Sequence, residues 1–204
     1  MAKLQGEKLL KQIKKEVNKF VAPFGVKAKL GTDFCYISDK STVYYSFAVP
    51  DRNRETWARW CASISPEVKV DIFLSSLMHE VGHHMTMESI DPAVQRYCDD
   101  MKNKIDDWAE DEDNPISGEE LDFMYYGLPD EIAATEWGLN YISCAHKVCK
   151  KFWNKIQPLI VEFYSVNGIG VEQPDIIEAE NSDYEDVLGI IKEEIEDEEV
   201  HGCE

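Results

Sequence analysis

The sequence predicts an α+β domain in which a small antiparallel sheet precedes a mostly helical half, and three observations lead there. Two β-rich runs, residues 33–38 and 42–49, are separated only by Asp39-Lys40-Ser41, which has the composition of a hairpin turn. Apolar residues recur at helical spacing over residues 3–20 and again over most of the chain after residue 66. After Asn167-Gly168 the chain becomes acidic and poor in aromatic residues. Residues 1–168 are therefore expected to form the domain, and residues 169–204 a flexible acidic tail.

In chain order, Leu4, Leu9, Ile13, Val17 and Phe20 set a first amphipathic helix that Pro23 and Gly25 end. Residues 26–30 and the two β-rich runs then supply the sheet. Pro50 breaks it, and a short helix is expected over residues 55–62. A buried helix is expected to start at Pro66 and run to about residue 87, with Val68, Val70, Phe73, Leu77, Val81 and Met85 on its inner side. Pro92 opens another helix over residues 91–110, and residues 111–115 form an acidic loop. Helices over residues 119–126, 129–150 and 152–166 complete the domain, with a bend expected at Pro158.

Composition narrows the function classes. The chain has 40 Asp and Glu against 21 Lys and Arg, a net charge of -19. Residues 171–204 hold fourteen acids and one lysine, so that segment supplies -13 of it. Such a balance excludes a nucleic-acid partner bound through phosphates, which needs a positive footprint. It leaves room for a protein partner of the acidic tail. No apolar run suits a secretory leader or a membrane span, so no membrane association is expected. The six scattered cysteines contain no CxxC pair and fit reduced thiols in a cytoplasmic setting. A second metal site at Cys144, His146 and Cys149 has no supporting spacing and reads as helix packing.

The string that carries chemistry is His79-Glu80-Val81-Gly82-His83, an HExxH motif on the buried helix. Two histidines four apart lie one turn apart on a single helix face and can reach one ion. The glutamate between them is offset towards a water on that ion. Such a string arises by chance in roughly one chain per hundred of this size, so its surroundings decide its meaning. Incidental histidines on a buried helix would leave Glu80 as an unpaired buried charge. A catalytic zinc also needs a third protein ligand and an open position for water. Thr86 and Ser89 stand where a metzincin has its glycine and third histidine, which excludes that class. Further on, Pro129-Asp130-Glu131-Ile132-Ala133-Ala134-Thr135 opens a helix with acids in its first turn. On the face of Glu131, Ala134, Gly138, Ala145 and Cys149 are all small, which permits close approach to the HExxH helix. Glu131 can serve as a ligand, as an acidic residue favourable to the helix dipole, or as both. Asp130, Glu136 and Glu88 are the reserve carboxylates.

Over residues 73–142 this combination of HExxH with a downstream ExxA resembles the gluzincins, and in size the short phage-encoded and cytoplasmic metallopeptidases. The resemblance implies a zincin-like fold and a zinc ion held by His79, His83 and Glu131. It further implies Glu80 as general base for hydrolysis of a peptide or protein substrate, in the cytoplasm of a host if the chain is phage-encoded. Where many gluzincins carry an aspartate beside a ligand histidine, this chain has Thr135, whose hydroxyl can still orient an imidazole. Tyr125, Tyr126 and His146 are the candidate oxyanion donors, and His84 is expected to point off the metal face. Residues 43–47 resemble the edge strand along which zincin substrates lie, and serve equally as an ordinary core strand. His201 and Cys203 would allow the tail to act as a flap over the metal. The competing function is a zinc-stabilised regulatory or interaction protein with little turnover. A third, an acidic nucleic-acid mimic, needs no metal.

Overall fold

The computed structural model describes residues 2–47, 51–67, 71–111 and 113–168. The acidic tail, its possible flap and the inner positions Val68 and Val70 lie outside them. The described chain is α+β: helices α1 (Ala2–Val21), α2 (Asp51–Ile64), α3 (Ile72–Thr86), α4 (Pro92–Glu110), α5 (Gly118–Tyr126), α6 (Pro129–Cys144) and α7 (His146–Val166), with strands β1 (Lys27–Leu30), β2 (Cys35–Ile37) and β3 (Thr42–Tyr45). None of the described helices is long and apolar enough to cross a membrane.

The spacing that predicts α1 is also what buries it. Leu9, Ile13, Val17 and Phe20 face inward, with Leu10 and Val21 beside them. They meet α7 through Cys149, Phe152, Ile156, Ile160 and Phe163, and Phe20 stacks on Phe152 with ring centroids 3.9 Å apart. Gly25 ends this segment in the left-handed region (φ 82°), where a residue without Cβ is unstrained. Asn18 then anchors the sheet to α1, since its amide donates to the Ala28 carbonyl at 2.7 Å and accepts from the Ala28 amide at 2.9 Å.

The sheet differs from the expected all-antiparallel one. β2 and β3 form the expected hairpin, pairing Cys35 with Tyr44 and Ile37 with Thr42. β3 then returns between β2 and β1 and runs parallel to β1, pairing Lys27 with Thr42 and Leu30 with Tyr45. The order is β1-β3-β2, a mixed sheet. β2 does not pair with β1, and β3 occupies the place between them. β3 therefore has hydrogen-bonded neighbours on both sides, which removes it as a substrate strand and leaves β1 and β2 as the edge strands among the described residues.

Three helix limits also move. α2 covers Asp51–Ile64, longer than expected. α3 begins at Ile72 and not at Pro66, because the Asp71 carboxylate caps it by accepting from the Leu74 amide at 3.2 Å. The helix expected over 129–150 ends at Cys144, and Ala145 (φ -104°, ψ 27°) turns the chain into α7. Ala145 and Cys149 consequently do not share the face of Glu131. Pro158 lies inside α7 without interrupting it.

α3 runs through the middle of the domain, against α6 on one side and β2 and β3 on another. Its residues from Phe73 to Gly82 are buried except Ser76, which makes it the element best held in place. α4 and α5 pack on each other around a smaller apolar cluster of Cys98, Ile105, Leu121 and Leu128. Trp57 and Cys61 of α2 pack with Leu139 of α6.

Candidate metal centre

The site is created by a helix crossing with almost no space between backbones. A Cβ added at Gly82 would stand 2.2 Å from the Ala134 carbonyl oxygen, and one at Gly138 would stand 2.8 Å from the Met78 carbonyl oxygen. Only glycine at both positions permits α3 and α6 to approach so closely. His79 and His83 lie one turn apart on α3, and Glu131 lies in the first turn of α6, so the crossing brings all three side chains together.

Three donor atoms converge there. His79 Nε2 is 3.0 Å from Glu131 Oε2, His83 Nε2 is 3.4 Å from the same oxygen, and the two nitrogens are 3.2 Å apart. Zinc ligand bonds of about 2.0–2.1 Å give a tetrahedral edge of about 3.3–3.4 Å, so these separations lie at or just below one face of such a polyhedron. The group can hold a metal ion.

Proton positions support the same conclusion. The Thr135 hydroxyl donates its single proton to the Glu131 carbonyl at 2.8 Å. At 3.0 Å from His79 Nδ1 it is therefore placed to accept, which puts a proton on Nδ1 and, in the neutral ring, leaves Nε2 as the nitrogen able to bind a metal. Glu131 is 1% exposed, yet its Oε2 has no hydrogen-bond partner of acceptable geometry. A buried carboxylate needs positive charge beside it, which protonated imidazoles or a cation shared with them can supply. The residues present thus fit a divalent metal.

The electrostatics are consistent with that fit. Burial works to raise the Glu131 carboxyl, but the neighbouring imidazoles outweigh it and hold it well below the usual carboxylate range. Burial works to lower His83, and Glu131 overrides it to a net increase. Glu80, 7% exposed with Oε1 3.9 Å from His79 Nε2, is raised, mainly by burial.

All four residues border a cleft of about 530 Å³. One wall is the segment from Thr32 to Tyr36 that leads into β2, and the opposite wall includes Lys102, Tyr125 and Tyr126. Tyr125 and Tyr126 thus border the same cleft as the donor group. His146 does not, being exposed on α7 away from the cleft. His84 points off the ligand face, and its Nδ1 is 2.7 Å from the Tyr36 hydroxyl on β2, which ties the strand to α3. Glu88 and Glu136 are exposed and outside the donor group, while Asp130 is buried against Lys102. Cys144 is exposed and Cys149 buried, and together with His146 they form no donor group among the described residues.

Two contributions have no counterpart in the motif. Trp57 packs edge-on against His79 with ring centroids 5.1 Å apart, and Trp60 Nε1 donates to Thr135 Oγ1 at 3.4 Å. Lys102 of α4 meets both Asp130 and Glu131. A sign of it exists in the sequence, where this lysine falls in the helical series Cys98, Lys102, Ile105 between two inward-facing apolar residues.

Thr135→Ala should weaken metal binding by about 10–100-fold, because it removes the acceptor that fixes the His79 tautomer. Thr135→Ser should retain parental affinity. Competition with a chromophoric chelator measures both, and equal affinity in all three proteins would mean that the hydroxyl does not orient the imidazole. In comparison with known proteins, no family model, curated protein or solved structure matches this chain, which leaves the donor geometry as the ground for assigning a role.

Proposed function

We propose that the protein is a zinc-dependent hydrolase of peptide bonds, with zinc held by His79, His83 and Glu131. The observation that carries the reading is the convergence of two imidazoles and one buried carboxylate oxygen beside Glu80, on the wall of an open cleft. Zinc, when bound, supplies Lewis acidity towards water and towards the substrate carbonyl.

The chain's own residues perform the remaining work. Glu80 accepts a proton from the water that attacks the carbonyl carbon, then delivers it to the departing amine as the C–N bond breaks. Tyr125 and Tyr126 border the cleft, and their hydroxyls are the candidate donors to the developing oxyanion. β2 is one of the two edge strands of the sheet, and its Cys35 and Tyr36 border the cleft. An extended substrate can pair with its backbone there, which gives affinity with little demand on sequence.

A zinc-stabilised interaction protein without useful turnover is the second reading. Its support is Thr135: a hydroxyl on His79 raises ligand basicity less than a carboxylate does. The purified chain is expected to bind a single equivalent of zinc and to cleave an unstructured protein such as casein. Chelation should abolish cleavage and added zinc should restore it. Stoichiometric zinc without any cleavage favours the interaction protein, and no zinc uptake removes both readings.

A further inference from the structure

We propose that Lys102 is a positioning residue of this centre, which dictates that Glu131 presents one oxygen, and not two, to the metal. The inference rests on the metal reading above and deepens it. Glu131 Oε2 faces the two imidazoles, while Oε1 is held by the Lys102 ammonium from α4. The same nitrogen contacts Asp130 Oδ2 at 2.7 Å and lies 5.2 Å from the Tyr125 ring centroid. Its donors are thus directed at two carboxylates and one aromatic face.

An ion pair that only joined α4 to α6 would not need the oxygen it uses. The side chains of Glu131 and Asp130 are 1% and 4% exposed, so both anions require partners within the protein. Asp130 alone could neutralise the lysine, yet Lys102 also takes the outer oxygen of the one carboxylate that faces both histidines. Charge-assisted bonds of this kind are about twice as strong as neutral ones, and they restrain the carboxylate plane as well as its charge.

The chemical consequence concerns the position that must stay open for water. A free carboxylate beside a divalent ion can turn both oxygens towards it and fill that position. With Oε1 engaged, Glu131 offers only Oε2. An ammonium so near a cation would ordinarily repel it, but Asp130 on the same nitrogen offsets that charge. Lys102 and Asp130 together therefore do for the carboxylate ligand what Thr135 does for His79.

The test compares Lys102→Met, Lys102→Arg and the double variant Lys102→Met/Asp130→Asn, which leaves no unpaired buried Asp130 anion. Zinc affinity is measured by chelator competition, and the visible spectrum of the Co2+-substituted protein reports coordination number. Both Met-containing proteins should bind zinc about 10–100-fold more weakly than the parent. Their Co2+ bands should lose intensity as the carboxylate becomes bidentate. Lys102→Arg should restore the parental spectrum. A folded double variant with parental or tighter zinc affinity, or with the parental Co2+ spectrum, overturns the role of Lys102 and leaves the metal reading standing. A parent chain that takes up no metal overturns both.

Discussion

Gly82→Ala is expected to destabilise the fold by at least about 3 kcal/mol, the upper end of typical overpacking costs. The added methyl would meet the Ala134 carbonyl oxygen, carbonyl carbon and Cα within 2.9 Å, all of them backbone atoms that no rotamer change can move. Relief requires α3 and α6 to separate, and Gly138 against Met78 prevents a simple tilt. A domain of this size has a total stability of about 5–15 kcal/mol, so the urea midpoint should fall far or cooperative unfolding should vanish. Gly118→Ala is the control. Nothing lies within 4 Å of that position in the first turn of α5, so the midpoint should stay within the equivalent of about 1 kcal/mol. A parental midpoint for Gly82→Ala would mean that the two helices do not cross there.

Glu80→Gln is expected to lower peptide hydrolysis by about 10²–10⁴-fold, the usual contribution of a general base, while zinc affinity stays within a few-fold of the parent. The amide keeps the size of the side chain and loses only the ability to take a proton. Glu80 is not one of the three converging donors, so the metal should not depend on its charge. The same substitution separates the two proposed functions: an interaction protein shows no activity to lose. Turnover at the parental rate in the zinc-loaded variant would place the base elsewhere.

What was legible in the sequence is what local spacing encodes. HExxH fixes two imidazoles on one helical face whatever the surrounding fold, and the pairing of Glu131 with Ala134 and Gly138 announced a close crossing. Period-two alternation says which face of the sheet a residue occupies but not which strand lies beside it. The parallel β1–β3 pairing, and with it the central place of β3, was therefore not readable. The break at Ala145 was hidden because apolar residues keep helical spacing on both sides of it. Pro66 looked like a helix start by residue type, yet the capping carboxylate belongs to Asp71. Lys102 escaped because its significance depends on α4 lying beside the first turn of α6, a contact between distant segments that no local pattern records.

The donors belong to two helices with α4 and α5 strung between them in the chain. An ion joining them is thus a cross-link as well as a reagent, closing a long loop in the way a disulfide does and restricting what the unfolded chain can explore. By mass action, binding confined to the native state adds about 2.7 kcal/mol when free metal stands at a hundred times its dissociation constant. On the proposed reading, metal supply would then set the stability of the fold as well as the state of the site.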